Sequence, residues 1–95
     1  MELFKATRED SGKTVQVESM LGQEYAEDHR VVNAAILAAR VLSIHGNGLV
    51  YGVHRLGDSR WCATVTDRTR RRDRRDSFAF SLVLEKTLAS GAPIQ

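Results

Sequence analysis

The chain has 95 residues, of which 42% are hydrophobic and 27% charged, with one cysteine and a formal charge of +2. That length gives room for one modest core, so residues 1–95 are read as a single domain, and the composition fits an ordinary globular protein and not a disordered chain. A lone thiol, Cys62, excludes an internal disulfide and suits a reducing compartment. The start Met1-Glu2-Leu3-Phe4-Lys5 lacks the basic-then-apolar pattern of a secretion signal, and the longest apolar stretch is broken by Asn33, Arg40 and Ser43. A cytoplasmic protein with no membrane contact is the expectation.

Residues 3–18 predict a hairpin. Phe4 and Ala6 alternate with Lys5 and Thr7, and Val15 and Val17 alternate with Thr14, Gln16 and Glu18. This is the period of two that gives a strand one apolar and one polar face. The cluster Arg8 to Lys13, with Gly12 available for a positive φ, supplies the turn. Ser11-Gly12-Lys13-Thr14 imitates the end of a phosphate-binding loop, but the glycine that motif needs five positions earlier is Thr7, and the segment joins two strands.

Residues 24–44 predict the central helix. Glu24, Glu27 and Asp28 lie near its start, where the helix dipole favours negative charge. Val31, Val32, Ala35, Ala38, Ala39 and Leu42 recur at helical spacing, and Ile36 and Val41 widen the stripe. So broad an apolar surface predicts the main core element and a possible homodimer through this helix. Gly46-Asn47-Gly48 is expected to end it.

Residues 49–55 and 60–66 predict a second hairpin around Leu56-Gly57-Asp58-Ser59. Strict alternation puts Val50, Gly52, His54, Leu56, Trp61, Ala63 and Val65 inward. It puts Leu49, Tyr51, Val53, Arg55, Arg60, Cys62, Thr64 and Thr66 outward. His54 and Cys62 then fall on opposite faces unless a bulge intervenes, which argues against a thiol–imidazole pair. His29, His45, His54 and Cys62 lack the paired spacings of a zinc site, and no metal or cofactor is expected.

The densest charge lies in residues 67–76, where Arg68, Arg70, Arg71, Arg72, Arg74 and Arg75 stand among Asp67, Asp73 and Asp76. Six arginines against three aspartates give this stretch +3, so the other 85 residues sum to −1. The molecule is a near-neutral domain with one guanidinium cluster. Guanidinium groups bind phosphate and carboxylate in a bidentate fork. The cluster therefore suits a nucleic-acid backbone, DNA or RNA, or an acidic protein surface. A solvated loop neutralised by its own aspartates and by the acidic helix start is the plain alternative. Tyr51, Arg55 and Arg60 on the outward hairpin face would extend the patch.

Residues 77–93 fit two structures. As a strand, Phe78, Phe80, Leu82 and Leu84 alternate with Ala79, Ser81, Val83 and Glu85. As a helix, Asp76 or Ser77 caps the start, Gly91 the end, and Pro93 stops it. The helix is preferred. The predicted fold is α+β: an antiparallel sheet of about four strands, with the long central helix and a C-terminal helix on one face, in the order β-β-α-β-β-α. If the last element is a strand, residues 67–76 become the tip of a β-arm.

No catalytic constellation is visible, and no enzyme is expected. The first functional expectation is a non-enzymatic binding module that engages a nucleic-acid backbone through the arginine-rich loop. The second is a small protein–protein inhibitor or adaptor docking on an acidic or nucleic-acid-binding partner, in the manner of a mobile-element or phage counter-defence protein such as an anti-CRISPR. That comparison rests on overall character.

Overall fold

Strand alternation and the helical apolar stripe resolve, in the computed structural model, into β1 (Glu2–Arg8), β2 (Thr14–Glu18), α1 (Glu27–Leu42), β3 (Gly48–Gly57), β4 (Arg60–Asp67) and β5 (Asp76–Thr87). The structure describes residues 2–44, 46–67 and 76–87. The strands form one five-stranded antiparallel sheet in the order β2-β1-β5-β4-β3, with α1 against one face. The α+β class holds. The sheet has five strands where four were expected, and the expected C-terminal helix is a strand over residues 76–87.

The physical reason for that correction lies on both sides of β5. It pairs with β1 from Glu2↔Thr87 to Arg8↔Phe80 and with β4 from Arg60↔Val83 to Asp67↔Asp76. As a helix, these residues would leave two separate two-stranded ribbons, which are marginal in water. As a strand, they satisfy the inner ladder of both hairpins. Phe78, Phe80 and Leu82 turn to the buried side, and Ala79, Ser81 and Val83 to the other. The residues proposed to end a helix, Gly91 and Pro93, lie outside the described residues.

The core is the helix side of the sheet. Phe4 and Ala6 of β1, Val17 of β2, Trp61, Ala63 and Val65 of β4, and Phe78, Phe80 and Leu82 of β5 pack against Val31, Ala34, Ala35, Ala38, Ala39 and Leu42 of α1. Large strand side chains meet small helix ones, so the helix approaches closely. Phe4 and Trp61 pack edge to face at 5.9 Å between centroids. Gly48 marks the closest approach: a Cβ there would lie 2.8 Å from the Ala39 carbonyl oxygen and 2.9 Å from Val65 Cγ1.

The helix is shorter than its sequence signature. It starts at Glu27, after the extended Ala26, and ends at Leu42, where Ser43 takes an extended conformation and donates its N–H to the Ala39 carbonyl. Gly46 does adopt a left-handed φ of 72°, but beyond the helix end. Val32, Ile36 and Val41, read as part of the core stripe, are exposed. Long-range contacts fix the helix at each end. At its start, Arg30 Nε donates to Glu2 Oε1 at 2.7 Å in a buried ion pair. At its finish, Arg8 Nη1 donates to the Leu42 carbonyl at 2.9 Å.

Candidate functional site

The parity of β4 sets the two faces of the second hairpin. Trp61, Ala63 and Val65 point to the helix, and Arg60, Cys62, Thr64 and Thr66 to the uncovered side. Strand β3 does not follow the strict alternation predicted for it. The register runs Leu49↔Thr66 and Val50↔Val65, then resumes at Gly52↔Thr64, so Tyr51 is an extra residue in a β-bulge. Beyond the bulge, parity inverts. Gly52 and His54 lie on the uncovered face opposite Thr64 and Cys62, and Val53 and Arg55 on the helix side opposite Ala63 and Trp61. A Cβ at Gly52 would lie 2.9 Å from Thr64 Oγ1, so this site on the uncovered face favours glycine.

Two site residues, Arg55 and Tyr51, are thereby repositioned. Arg55 leaves the outward patch. Its Nη1 donates to Glu27 Oε1 at 2.8 Å, and its guanidinium lies 5.7 Å from the Trp61 ring centroid. Arg60 stays on the uncovered face, and Tyr51 projects, exposed, from the bulge. Arg68, Arg70, Arg71, Arg72, Arg74 and Arg75 lie outside the described residues. The chain leaves the sheet into residues 68–75 at Asp67 and re-enters at Asp76, whose backbones pair. This end of the sheet also holds Gly48, paired to Asp67. Glu27 sits at the other end, beside Arg55. Strand β4 separates the two ends by about 23 Å at ~3.3 Å per residue.

The uncovered face continues across all five strands. One row runs Thr14, Thr7, Ser81, Cys62, His54, each paired with the next. A second runs Gln16, Lys5, Val83, Arg60, so that Lys5 and Arg60 flank Val83 from either side. Two strand spacings separate their backbones, about 10 Å. Lys5, Arg60 and His54 are exposed, and the hydroxyl residues between them are half-buried in a shallow, small-residue surface. Glu85, at one margin, accepts a hydrogen bond from Gln16 Nε2 at 2.8 Å. Lys5, Thr7 and Ser81 were absent from the predicted site. The alternation of Phe4 with Ala6 was the signal that could have placed the first two there.

The bulge also brings His54 and Cys62 to the same face as directly paired residues, reversing the predicted separation. Burial, reinforced by the nearby Glu9 carboxylate, raises the Cys62 thiol above its ordinary pKa. A thiol held protonated is the opposite of what a nucleophilic pair requires. Among the described residues, no group of three or more His, Cys, Asp or Glu side chains gathers as a metal site would. Ser11-Gly12-Lys13-Thr14 is a hairpin turn, with the Gly12 N–H donating to the Arg8 carbonyl.

A groove of about 460 Å³ beside that turn is lined by Arg8, Asp10, Ser11, Lys13, Leu42, Ser43 and Ile44. Arg8 serves the fold there. It makes a two-pronged pair with Asp10, at 2.7 and 3.0 Å, and stacks 3.9 Å from the Phe78 centroid. Its hydrogen bond holds the exposed Asp10 carboxyl below the usual range. Among the described residues, no helix is long and apolar enough to cross a membrane. Compared with known proteins, the chain matches no family model, no curated protein and no solved structure.

Proposed function

We propose that the protein is a non-enzymatic binding module that engages a nucleic-acid backbone, using the uncovered sheet face together with the arginine run of residues 68–75, which follows β4 at the end opposite Arg60. The observation that carries this reading is the donor set of that face: Lys5 and Arg60 either side of Val83, with Thr7, Ser81 and His54 in the adjoining row. Side-chain hydroxyls and cations are the groups that contact phosphate oxygens without reading sequence. Among the described residues no helix–turn–helix geometry accompanies them, and the contact proposed is to the backbone rather than to bases in the major groove. Tyr51 offers one exposed ring for stacking.

The test is fluorescence anisotropy with duplex and single-stranded oligonucleotides at about 50 and 200 mM salt, where phosphate binding must weaken steeply with salt. The double variant Lys5→Glu, Arg60→Glu is expected to lose at least about tenfold in affinity at the lower salt. Absence of binding by the unaltered protein at that salt overturns the reading.

The second reading is a small inhibitor or adaptor that docks on an acidic partner surface. It is supported by the exposed Tyr51 standing on the strand that begins beside Asp67, since tyrosine and arginine dominate protein-interface hot spots. Pull-down with all six arginines of residues 68–75 changed to alanine separates it from the first: an unchanged partner list counts against it.

A further inference from the structure

A groove of about 320 Å³ opens on the helix side of the sheet, away from the face proposed for nucleic acid, and is lined by Asp28, Val31, Val32, Val53, Arg55 and Trp61. The bulge at Tyr51 shapes it. Because Gly52 and His54 turn to the uncovered face, Val53 and Arg55 come to the helix side, opposite Ala63 and Trp61. Strand β3 is the sheet's edge, so the space between Val53 and the flank of α1 meets solvent. Val31 and Trp61 are buried and Val32 is 40% exposed, so the lining runs from an apolar floor to an apolar rim. The volume lies at the small end of ligand sites, which are mostly apolar with a few polar groups that fix orientation.

The two charged residues of the lining are not equivalent. Arg55 is satisfied on both sides: Nη1 donates to Glu27 Oε1 at 2.8 Å, and Nη2 lies 3.9 Å from Asp58 Oδ1. Its guanidinium also stands 5.7 Å from the Trp61 ring centroid. The side chain of Asp28 has neither an ion pair nor a hydrogen bond among the described residues. The neighbouring cations are committed elsewhere. Arg30 pairs with Glu2 at 2.7 Å, and Arg60 faces the other side of the sheet. The groove therefore combines an apolar wall with one unmatched carboxylate.

We propose that this groove binds a small apolar cation, a primary amine carried on a single ring or short alkyl chain. Its ammonium donates to Asp28, a charge-assisted hydrogen bond to an acceptor that has no other donor. Its apolar body lies against Val31, Val32, Val53 and Trp61. A neutral apolar ligand would cover the carboxylate without pairing it, which costs free energy. An anion would meet Asp28 directly, while the guanidinium of the lining is already held between two carboxylates. The proposal stands apart from nucleic-acid binding, because Lys5 and Arg60 lie on the opposite face.

The test is a titration of the isotope-labelled full chain with phenethylamine, followed in amide and indole N–H spectra. Trp61 is the chain's one tryptophan, so a single indole signal reports on the groove. Saturable shifts at Val31, Val32, Val53 and Trp61 are expected, with a dissociation constant on the order of 1 mM for so small a ligand. Hydrocinnamate, with the same ring and spacer and the opposite charge, is expected to bind about tenfold more weakly. Asp28→Asn should weaken the amine about threefold, as for an exposed ion pair, and should not weaken hydrocinnamate. Glu24→Gln removes a carboxylate that does not line the groove, and should change neither. The same ammonium on a peptide, in Nα-acetyl-lysine methylamide, should bind more weakly than phenethylamine, because its amides have no partners in an apolar groove. No saturation up to about 50 mM amine overturns the proposal. So do shifts centred on other residues, equal affinity for hydrocinnamate, tighter binding of the lysine derivative, or an Asp28→Asn effect no larger than that of Glu24→Gln. The comparison of amine with hydrocinnamate uses the unaltered protein, so it decides the matter even where a variant misfolds.

Discussion

The two faces of the sheet are made by the same strands and carry different burdens. On the helix side, Phe4, Phe80, Leu82 and Trp61 are buried against alanines of α1. On the other side, Thr7, Ser81 and Thr64, each next in sequence to the buried Ala6, Phe80 and Val65, make a shallow surface with Lys5 and Arg60. Parity therefore separates what holds the fold from what is free to meet a ligand. Large-to-small changes are expensive on one face, and charge changes are tolerated on the other.

The difference is broken most severely at its centre. Phe80→Ala empties a fully buried site between β1 and β4, and urea unfolding should show a loss of about 3–5 kcal/mol. A loss below about 1 kcal/mol would mean the helix side is not the core. Gly48→Ala should cost about 1–3 kcal/mol, because the new Cβ meets backbone and a packed valine that have little room to move. An unaffected midpoint would show that α1 does not approach the sheet as closely as described.

The smallest effect sharpens the comparison on the uncovered face. Cys62 is raised in pKa mainly by burial, so its alkylation by iodoacetamide should reach its plateau at higher pH in the folded protein than in urea. A pKa higher in the fold than in the unfolded chain is stabilising below the unfolded value. Stability accordingly falls as pH rises from that value through the folded one. Coincident plateaus would mean that the small-residue surface does not shield the thiol.

The first hairpin was legible in full, because Phe4, Ala6, Val15 and Val17 keep strict alternation and no bulge intervenes before Phe4 pairs with Val17. The faces of the second were not. One extra residue, Tyr51, inverts the faces from Gly52 to Arg55, a second register shift follows before Gly57, and only the crowding of Gly52 against Thr64 accounts for the glycine there. The segment from Phe78 to Leu84 satisfies both periods, and what selects the strand is pairing to β4 and, across the 72 positions from Arg8 to Phe80, to β1. The helix end was misplaced for a similar reason, since Arg8 reaches the Leu42 carbonyl from another element. Of the predicted site, Arg60 and Tyr51 stand exposed as expected, Arg55 turned to Glu27, and the arginine run rests on its sequence alone.

Strand β5 has a consequence for how the chain reaches its structure. It is the last described strand, yet it occupies the middle of the sheet. Until it is in place, β1–β2 and β3–β4 share no ladder, and Phe4, Trp61 and Val65 lack their neighbours Leu82, Leu84 and Phe78. During synthesis both hairpins emerge before the segment that joins them. Such non-local closure is slow, on the order of milliseconds to seconds in sheet-dominated domains. In that interval the apolar sides of both hairpins stand open to other chains, and the time spent waiting for residues 76–87 sets the exposure to misassembly.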